Sequence, residues 1–291
     1  ENKGVSILCL EKEGIQLNNK SVGNLAKHPQ VMTWIKENVG ETFYAQSFYT
    51  SGPFEYHISN IGGELLQSSY KVQSNLENKV YQSNLFKKFN VRIPQTVEGN
   101  LANLSYEGLS DRLKTKKFVV QSSKSHTGSG TWIITSEEDI QKRKALHGGL
   151  PCRITEYVDG NTYTLNIAHY NKKTFYGPIQ YQIPGIAELG SKFATTLGND
   201  FSFAKRYFPK TSLENLINEL EKIKQVLNRI HFKGLCGIDF IVKDGEIFLI
   251  ELNARRTANI PFQTYIERKH GLIPQALIDL YYQLGGKETL V

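Results

Sequence analysis

Acidic side chains stand where an apolar strand has no use for them in the stretch Gly237-Ile-Asp-Phe-Ile-Val-Lys-Asp-Gly-Glu-Ile-Phe-Leu-Ile-Glu-Leu-Asn-Ala-Arg255. Two apolar runs flank Lys243-Asp-Gly-Glu246, and Asp-Gly between such runs is a strong hairpin signal. Burying an unpaired charge is costly, so a plain hairpin interior would not carry Asp239 in its first run or Glu251 and Asn253 at the end of its second. Residues two apart in a strand share a face, which aims Glu251, Asn253 and Arg255 the same way.

Whether Asp239 joins them depends on the turn. A two-residue loop, Asp244-Gly245, sets Asp239 opposite Ile250 and away from Glu251. A three-residue loop, Lys243-Asp244-Gly245 with the glycine left-handed in a bulge, sets Asp239 opposite Leu249, on the Glu251 face. Only the three-residue register brings Asp239 to Glu251 and Asn253, so a site built from all three demands that turn. In that register two carboxylates and an amide oxygen converge beside an arginine, and hard oxygen ligands of this kind suit magnesium together with the phosphates of a nucleotide. The competing reading of the same residues is a hairpin with a solvent-facing acidic row.

The rest of the chain must position this stretch. Its 291 residues are enough for a substantial core in one large domain or two or three smaller ones. Hydrophobic content of 40% and charged content of 22% are those of an ordinary globular protein. No apolar run approaches the roughly 18 residues of a membrane span, and the first residues have too short an apolar core for a signal peptide. The net charge of +7 favours anionic partners, but no dense Lys/Arg cluster with interleaved aromatics marks a nucleic-acid groove. Cys9, Cys152 and Cys236 fit neither metal-ligand spacing nor a disulfide framework, so reduced thiols in a cytoplasmic protein are the simple reading.

Read in order, residues 4–10 predict a strand, Asn24 to Asn38 a helix with Leu25, Val31, Trp34 and Ile35 on one face, Thr42–Tyr49 a strand, and Phe54–Ser59 another before a Gly62-Gly63 turn. These make a small α/β segment over residues 1–75. Asn78 to Phe89 predicts a helix with Lys79 on its first turn, followed by an extended segment around Pro94. Phe118–Gln121 and Thr131–Thr135 predict strands bracketing a Ser/Thr/Gly loop, whose backbone N–H groups can fold over phosphates. That loop is no strand-to-helix P-loop. Ser136 caps the next helix. Cys152–Val158 predicts a strand, with Thr162–His169 as its antiparallel partner across the Asp159-Gly160-Asn161 turn. Phe175–Gln182 extends that sheet, and residues 184–200 predict a loop able to cover a site. Thr211-Ser-Leu-Glu214 predicts a capping box at the head of the clearest helix, whose stripe from Leu213 to Ile230 must pack on a sheet. Ile273–Leu284 predicts a last helix stopped by Gly285-Gly286.

From about Asn78 to Gly286 this succession resembles the ATP-grasp family, most specifically in the 237–255 stretch, which is similar to that family's metal hairpin. The resemblance implies an α+β fold with two α/β subdomains clasping a nucleotide: an ATP-grasp domain over residues 76–291, with its nucleotide flap at about 115–155 and its metal subdomain at about 156–291. It implies ATP and Mg²⁺ as cofactors, with two ions and with Mn²⁺ able to serve. Asp239, Glu251 and Asn253 would be the metal ligands, and Arg255 the catalytic arginine that steadies the transferring phosphoryl group. Lys79 falls where the family keeps a phosphate-contacting lysine. Lys124, His126, Thr127, Gly128 and Gly130 fall in its glycine-rich phosphate flap. Glu156, Tyr157 and Val158 lie on the strand linking the halves of the nucleotide cleft, where backbone groups of Glu156 and Val158 would meet the adenine edge. The sequence departs from the pattern at Gln121, where a second phosphate lysine is usual, and at Thr155 and Thr162, where acidic residues are usual. Lys124 is expected to supply the cation missing at position 121.

The activity so implied is that of an ATP-dependent carboxylate–amine ligase acting through an acyl phosphate, with a small carboxylate substrate and an amino acid or peptide as amine. The alternatives are a biotin-carboxylase-like component using bicarbonate and a non-catalytic ATP-binding module. No nucleic-acid or membrane partner is implied, and a homodimer is compatible with the reading.

Overall fold

Capping and helix-breaking residues cut the opening of the chain into short pieces. The computed structural model describes residues 4–17, 21–124, 130–147, 149–186, 188 and 195–288. Residues 4–10 join no strand ladder, against the expectation, and the expected helix over 24–38 is two: α1 (Val22–Ala26) and α2 (Pro29–Asn38), with Pro29 at the start of the second. Proline has no N–H to donate and its ring clashes with the preceding turn, so one helix cannot run through. β1 (Phe43–Ala45) pairs in parallel with β2 (Gly63–Leu65). Between them lies α3 (Gly52–Asn60), where a strand was expected; Ser51 caps it by accepting from Phe54 N, and Pro53 sits in its first turn. Helix α4 (Tyr70–Leu76) then leads to α5 (Lys79–Lys88), whose N-cap Asn78 accepts from Val80 N and Tyr81 N.

The middle of the chain builds a four-stranded antiparallel sheet. Its strands are β3 (Thr96–Asn100), β4 (Phe118–Ser122), β5 (Thr131–Ile134) and β6 (Pro151–Glu156), in the order β3-β6-β4-β5. Helices α6 (Tyr106–Leu113) and α7 (Glu137–His147) cover one face, closing a core of Leu109, Phe118, Val120, Ile134, Ile140 and Ile154.

The last portion builds a six-stranded sheet. β7 (Asn161–Tyr170) pairs with β8 (Lys173–Tyr176) and β9 (Gln180–Pro184), and β10 (Thr196–Asp200) lies outside β9. After α8 (Phe201–Tyr207) and α9 (Leu213–Arg229) come β11 (Gly234–Lys243) and β12 (Glu246–Asn253), then α10 (Ile260–Lys269) and α11 (Gln275–Gln283). β6 and β7 were expected to pair with each other. They belong to different sheets, so residues 157–160 are a crossing between sheets rather than a hairpin turn.

Helix α9 buries Leu216, Leu220, Ile223, Val226 and Leu227 against Ile238, Phe240, Leu249 and Leu252 of β11 and β12. The expected stripe is narrower than its apolar residues, since Leu213 and Ile217 are exposed. The capping box does not form: the helix is entered through a 3-10 turn at Lys210–Ser212, and Ser212 makes no side-chain cap bond. On β11 the core takes Cys236, Ile238, Phe240 and Val242, which turns Gly237, Asp239 and Ile241 to the opposite face.

Candidate active site

The metal-type constellation forms, but not by the turn expected for it. Lys243 pairs with Glu246, so the loop is the two residues Asp244 and Gly245, both with positive φ (50° and 82°) as a tight two-residue hairpin turn needs. Alone, that register would send Asp239 away from Glu251. A bulge corrects it: Phe240 faces Leu249, Asp239 faces Glu251, and Ile250 is the extra residue between. The reason is visible in the core. Ile247, Leu249 and Leu252 are all buried in one cluster. Their spacing of two and then three residues cannot be met by unbroken alternation. The same break in the apolar pattern is the sequence signal by which the bulge is recognised.

The result is one face carrying Asp239, Glu251 and Asn253. Asn253 Nδ2 donates to Asp239 Oδ2 at 3.0 Å, and Gln182 Nε2 on β9 donates to Asp239 Oδ1 at 2.6 Å. Lys79, at the first position of α5 and almost wholly buried, donates to Glu251 Oε1 at 2.9 Å. Arg255 Nη2 donates to Asn253 Oδ1 at 3.0 Å, its Nε lies 3.4 Å from Glu77 Oε1, and its guanidinium sits 5.3 Å from the Phe48 ring centre. Glu77, Gln182 and Phe48 are members of this cluster that the sequence did not single out. Glu77 and Lys79 flank the N-cap Asn78, so the helix start that places the lysine also places the carboxylate.

The electrostatics of the two facing carboxylates diverge. Burial, and then the charge of Glu251, push Asp239 up to about 6. Burial would push Glu251 up as well, but the neighbouring cations together, Lys79 foremost and then Arg153 and Arg255, outweigh it and hold Glu251 below the usual carboxylate range. Burial raises Glu77, with Arg255 pulling the other way. Among the described residues no three His, Cys, Asp or Glu side chains gather as a metal cluster would. The donors here are two carboxylates and an amide oxygen. These are hard ligands, and a divalent cation would relieve the charge repulsion that raises Asp239.

Gln121 is buried in β4, and its partner was not foreseen. Arg153, directly opposite on β6, donates to Gln121 Oε1 from Nε at 3.0 Å and from Nη2 at 2.6 Å. The cation beside position 121 is thus Arg153, whereas Lys124 is exposed. Charge in an apolar strand, the oddity that draws attention to Asp239, equally marks Arg153. Of the flap residues, Gly130 is buried and its carbonyl accepts from Ser122 N at 2.9 Å, while His126, Thr127 and Gly128 lie outside the described residues.

At the crossing between sheets, Glu156 N donates to Gln95 O at 2.9 Å and Tyr157 N to Lys117 O at 3.0 Å. The Glu156 N–H is thus satisfied within the protein. Val158 is buried, and among the described residues its N–H has no acceptor. Lys117 Nζ lies 3.5 Å from the Tyr157 ring centre, which fixes that ring at the crossing.

A family model for the ATP-grasp domain matches residues 76–259, and the chain belongs to the ATP-grasp family. Over 233 residues it is 26% identical to the carbamoyl phosphate synthase large chain of Thermoanaerobacter sp. (strain X514), a match covering 78% of this chain and 20% of that protein. The chain thus spans about a fifth of that relative's length. Among solved structures, biotin carboxylase from Campylobacter jejuni superposes with a TM-score of 0.70 at 11% identity, covering 94% of this chain and 60% of that one. D-alanine–D-alanine ligase from Bacillus anthracis superposes with a TM-score of 0.62 at 13% identity, covering 92% and 84%. At such identities these structures establish the shared α+β ATP-grasp fold alone.

No helix among the described residues is long and apolar enough to cross a membrane.

Proposed function

We propose that this chain is an ATP-dependent carboxylate–amine ligase. The observation that carries the reading is the convergence of Asp239, Glu251 and Asn253 on one face, with Lys79 and Arg255 hydrogen-bonded to two of them. Residues 76–291 act as the ATP-grasp domain, with the flap near 115–155 and the metal subdomain near 156–291, and residues 1–75 form a preceding segment.

Asp239, Glu251 and the Asn253 amide oxygen would hold Mg²⁺, which when bound supplies charge neutralisation on the nucleotide phosphates. The chain's own groups do the rest. Lys79 is held by Glu251 at the head of α5, where it can move to a phosphate oxygen once Glu251 takes a cation. Arg255, kept between Glu77, Asn253 and Phe48, presents a fixed positive charge to the transferring phosphoryl group. A substrate carboxylate oxygen bonds to the γ-phosphorus as the bond to the ADP oxygen breaks. The amine then bonds to the acyl carbon, phosphate departs with the acyl–oxygen electron pair, and the amine loses a proton. No side-chain nucleophile is needed. Backbone groups of Glu156 and the N–H of the buried Val158 serve the adenine edge.

The test is ADP release with Mg²⁺-ATP against amino acids and dipeptides, offered singly and in pairs, and against bicarbonate. The ligase reading expects release only when a carboxylate and an amine are present together. Release that needs bicarbonate instead points to a carboxylation component, and ATP binding without release in any mixture points to a non-catalytic module. Glu251→Gln should lower turnover by about a hundredfold or more while the circular dichroism spectrum stays unchanged. Undiminished turnover in that variant sinks the metal-ligand assignment.

A further inference from the structure

The bulge that brings Glu251 opposite Asp239 leaves the ladder locally broken, and the outer edge of β12 is satisfied by groups from outside its own sheet. Leu249 N donates to Arg92 O at 2.8 Å. Gln82 of α5 accepts from Leu252 N at 3.0 Å and donates to Leu252 O at 2.8 Å. The bulged residue itself is held by Arg153, whose Nη2 donates to Ile250 O at 2.8 Å. Arg153 belongs to β6 of the four-stranded sheet, so the bulge in one sheet is fixed by a side chain from the other.

Arg153 is an expensive residue for this place. It is 2% exposed, and taking a guanidinium out of water is strongly unfavourable unless its donors are met. Among the described residues no carboxylate lies within ion-pair distance of it; Glu251 and Glu98 act on it only through space. Its planar fork meets two neutral oxygens at once, Gln121 Oε1 and Ile250 O, which a point-charged lysine cannot reproduce. Thr155, Pro94 and Leu249 line the small cavity on which Gln121, Arg153 and Ile250 also open. An apolar side chain would fill such a gap without desolvating a charge. What the arginine adds is a directed hold on one carbonyl.

We propose that Arg153 is a positioning residue for the Asp239–Glu251–Asn253 site: it pins the Ile250 bulge in the register that sets Glu251 opposite Asp239, and Gln121 is the clamp that orients it. The proposal rests on the reading of that face as a divalent-cation site. It also explains the uncharged side chain at position 121. A lysine there would offer no acceptor to the guanidinium and would set two buried cations side by side across the β4–β6 pair. Gln121→Lys is accordingly a damaging change, although it restores the residue usual in the family.

Two measurements on the whole chain test this. Hydrogen exchange, read by mass spectrometry over residues 246–254 without metal or nucleotide, reports the hold on the bulge directly. Mn²⁺ titration in the presence of a non-hydrolysable ATP analogue reports the site, with analogue affinity in EDTA measured in parallel. Arg153→Met should speed exchange in that segment and weaken Mn²⁺ by about tenfold or more, the range for residues that orient metal ligands, with metal-free analogue affinity unchanged. Gln121→Lys and Gln121→Met should do the same in milder degree, and Arg153→Lys should recover only part of the loss. Gln121→Met also serves should Arg153→Met fail to fold, because it keeps the arginine and removes its clamp. Unchanged exchange and Mn²⁺ affinity in the folded variants overturn the proposal alone. So does lost metal-free analogue affinity with Mn²⁺ affinity retained, which would make Arg153 a nucleotide contact. A wild-type protein that takes up no Mn²⁺, with Glu251→Gln indistinguishable from it, overturns the site reading and this proposal with it.

Discussion

Asp239 and Glu251 face each other across one ladder, yet their surroundings split them: Lys79 keeps Glu251 ionised, while Asp239, buried beside a carboxylate, holds its proton up to about 6. A second buried carboxyl outside this site, Asp279 on α11, is pushed up to about 6 by burial, with Gln283 and Arg256 opposing. The sign of the consequence is fixed. A carboxyl that binds its proton more tightly folded than unfolded contributes stability that is whole below about pH 4 and is lost as pH rises through about 6. The metal-free protein should therefore lose stability over that window. Asp279→Asn should remove part of the loss, up to about 2 kcal/mol between pH 4.5 and pH 7, measured by urea denaturation at both pH values. An identical pH dependence in the variant would refute the assignment. Asp239, Glu251, Asn253 and Arg255 were legible because charge stood in an apolar strand pattern. Gln182, Phe48 and Gln82 were not, because polar or aromatic residues on surface-like segments carry no mark until the fold sets them beside a charge.

At the scale of elements, the hairpin shows why register is not readable from a turn alone. Asp244-Gly245 gave a two-residue turn, and the bulge at Ile250 then restored the facing that the turn denied. Helix α5 works on the same strand from outside, placing Lys79 on Glu251 and Gln82 on both backbone groups of Leu252. Gln82→Leu would leave that N–H and carbonyl buried without partners. It should destabilise the protein by about 2–6 kcal/mol, since each of the two unmet groups costs about 1–3 kcal/mol, as read from a lower urea midpoint at unchanged slope. A midpoint equal to wild type would show that water replaces the amide. Elsewhere, long periodic runs such as α9 were readable and short ones were not. The segment 54–59 reads as a strand by composition, but Ser51 and Pro53 start it as a helix.

At the scale of the molecule, two sheets meet along the edge of β12, and among the described residues the chain passes from one to the other at residues 157–160. A Cβ on Gly160 would stand 2.4 Å from Val242 O and 2.7 Å from Ile241 Cγ2, so the crossing runs tight against β11. Gly160→Ala should cost about 1–3 kcal/mol through this overpacking, seen as a lower thermal midpoint; an unshifted midpoint would mean the crossing has slack. The sequence by itself determined the hairpin, its acidic residues and the helix that delivers Lys79, because these follow from local periodicity, capping and charge placed against an apolar pattern. Only the tertiary structure decided that β6 and β7 lie in different sheets, that Arg153 rather than Lys124 stands beside Gln121, and that a bulge rather than a longer turn aligns the carboxylates. Each of these depends on which buried backbone groups find partners across the molecule, and pairing between elements far apart in the chain leaves no local periodicity to read.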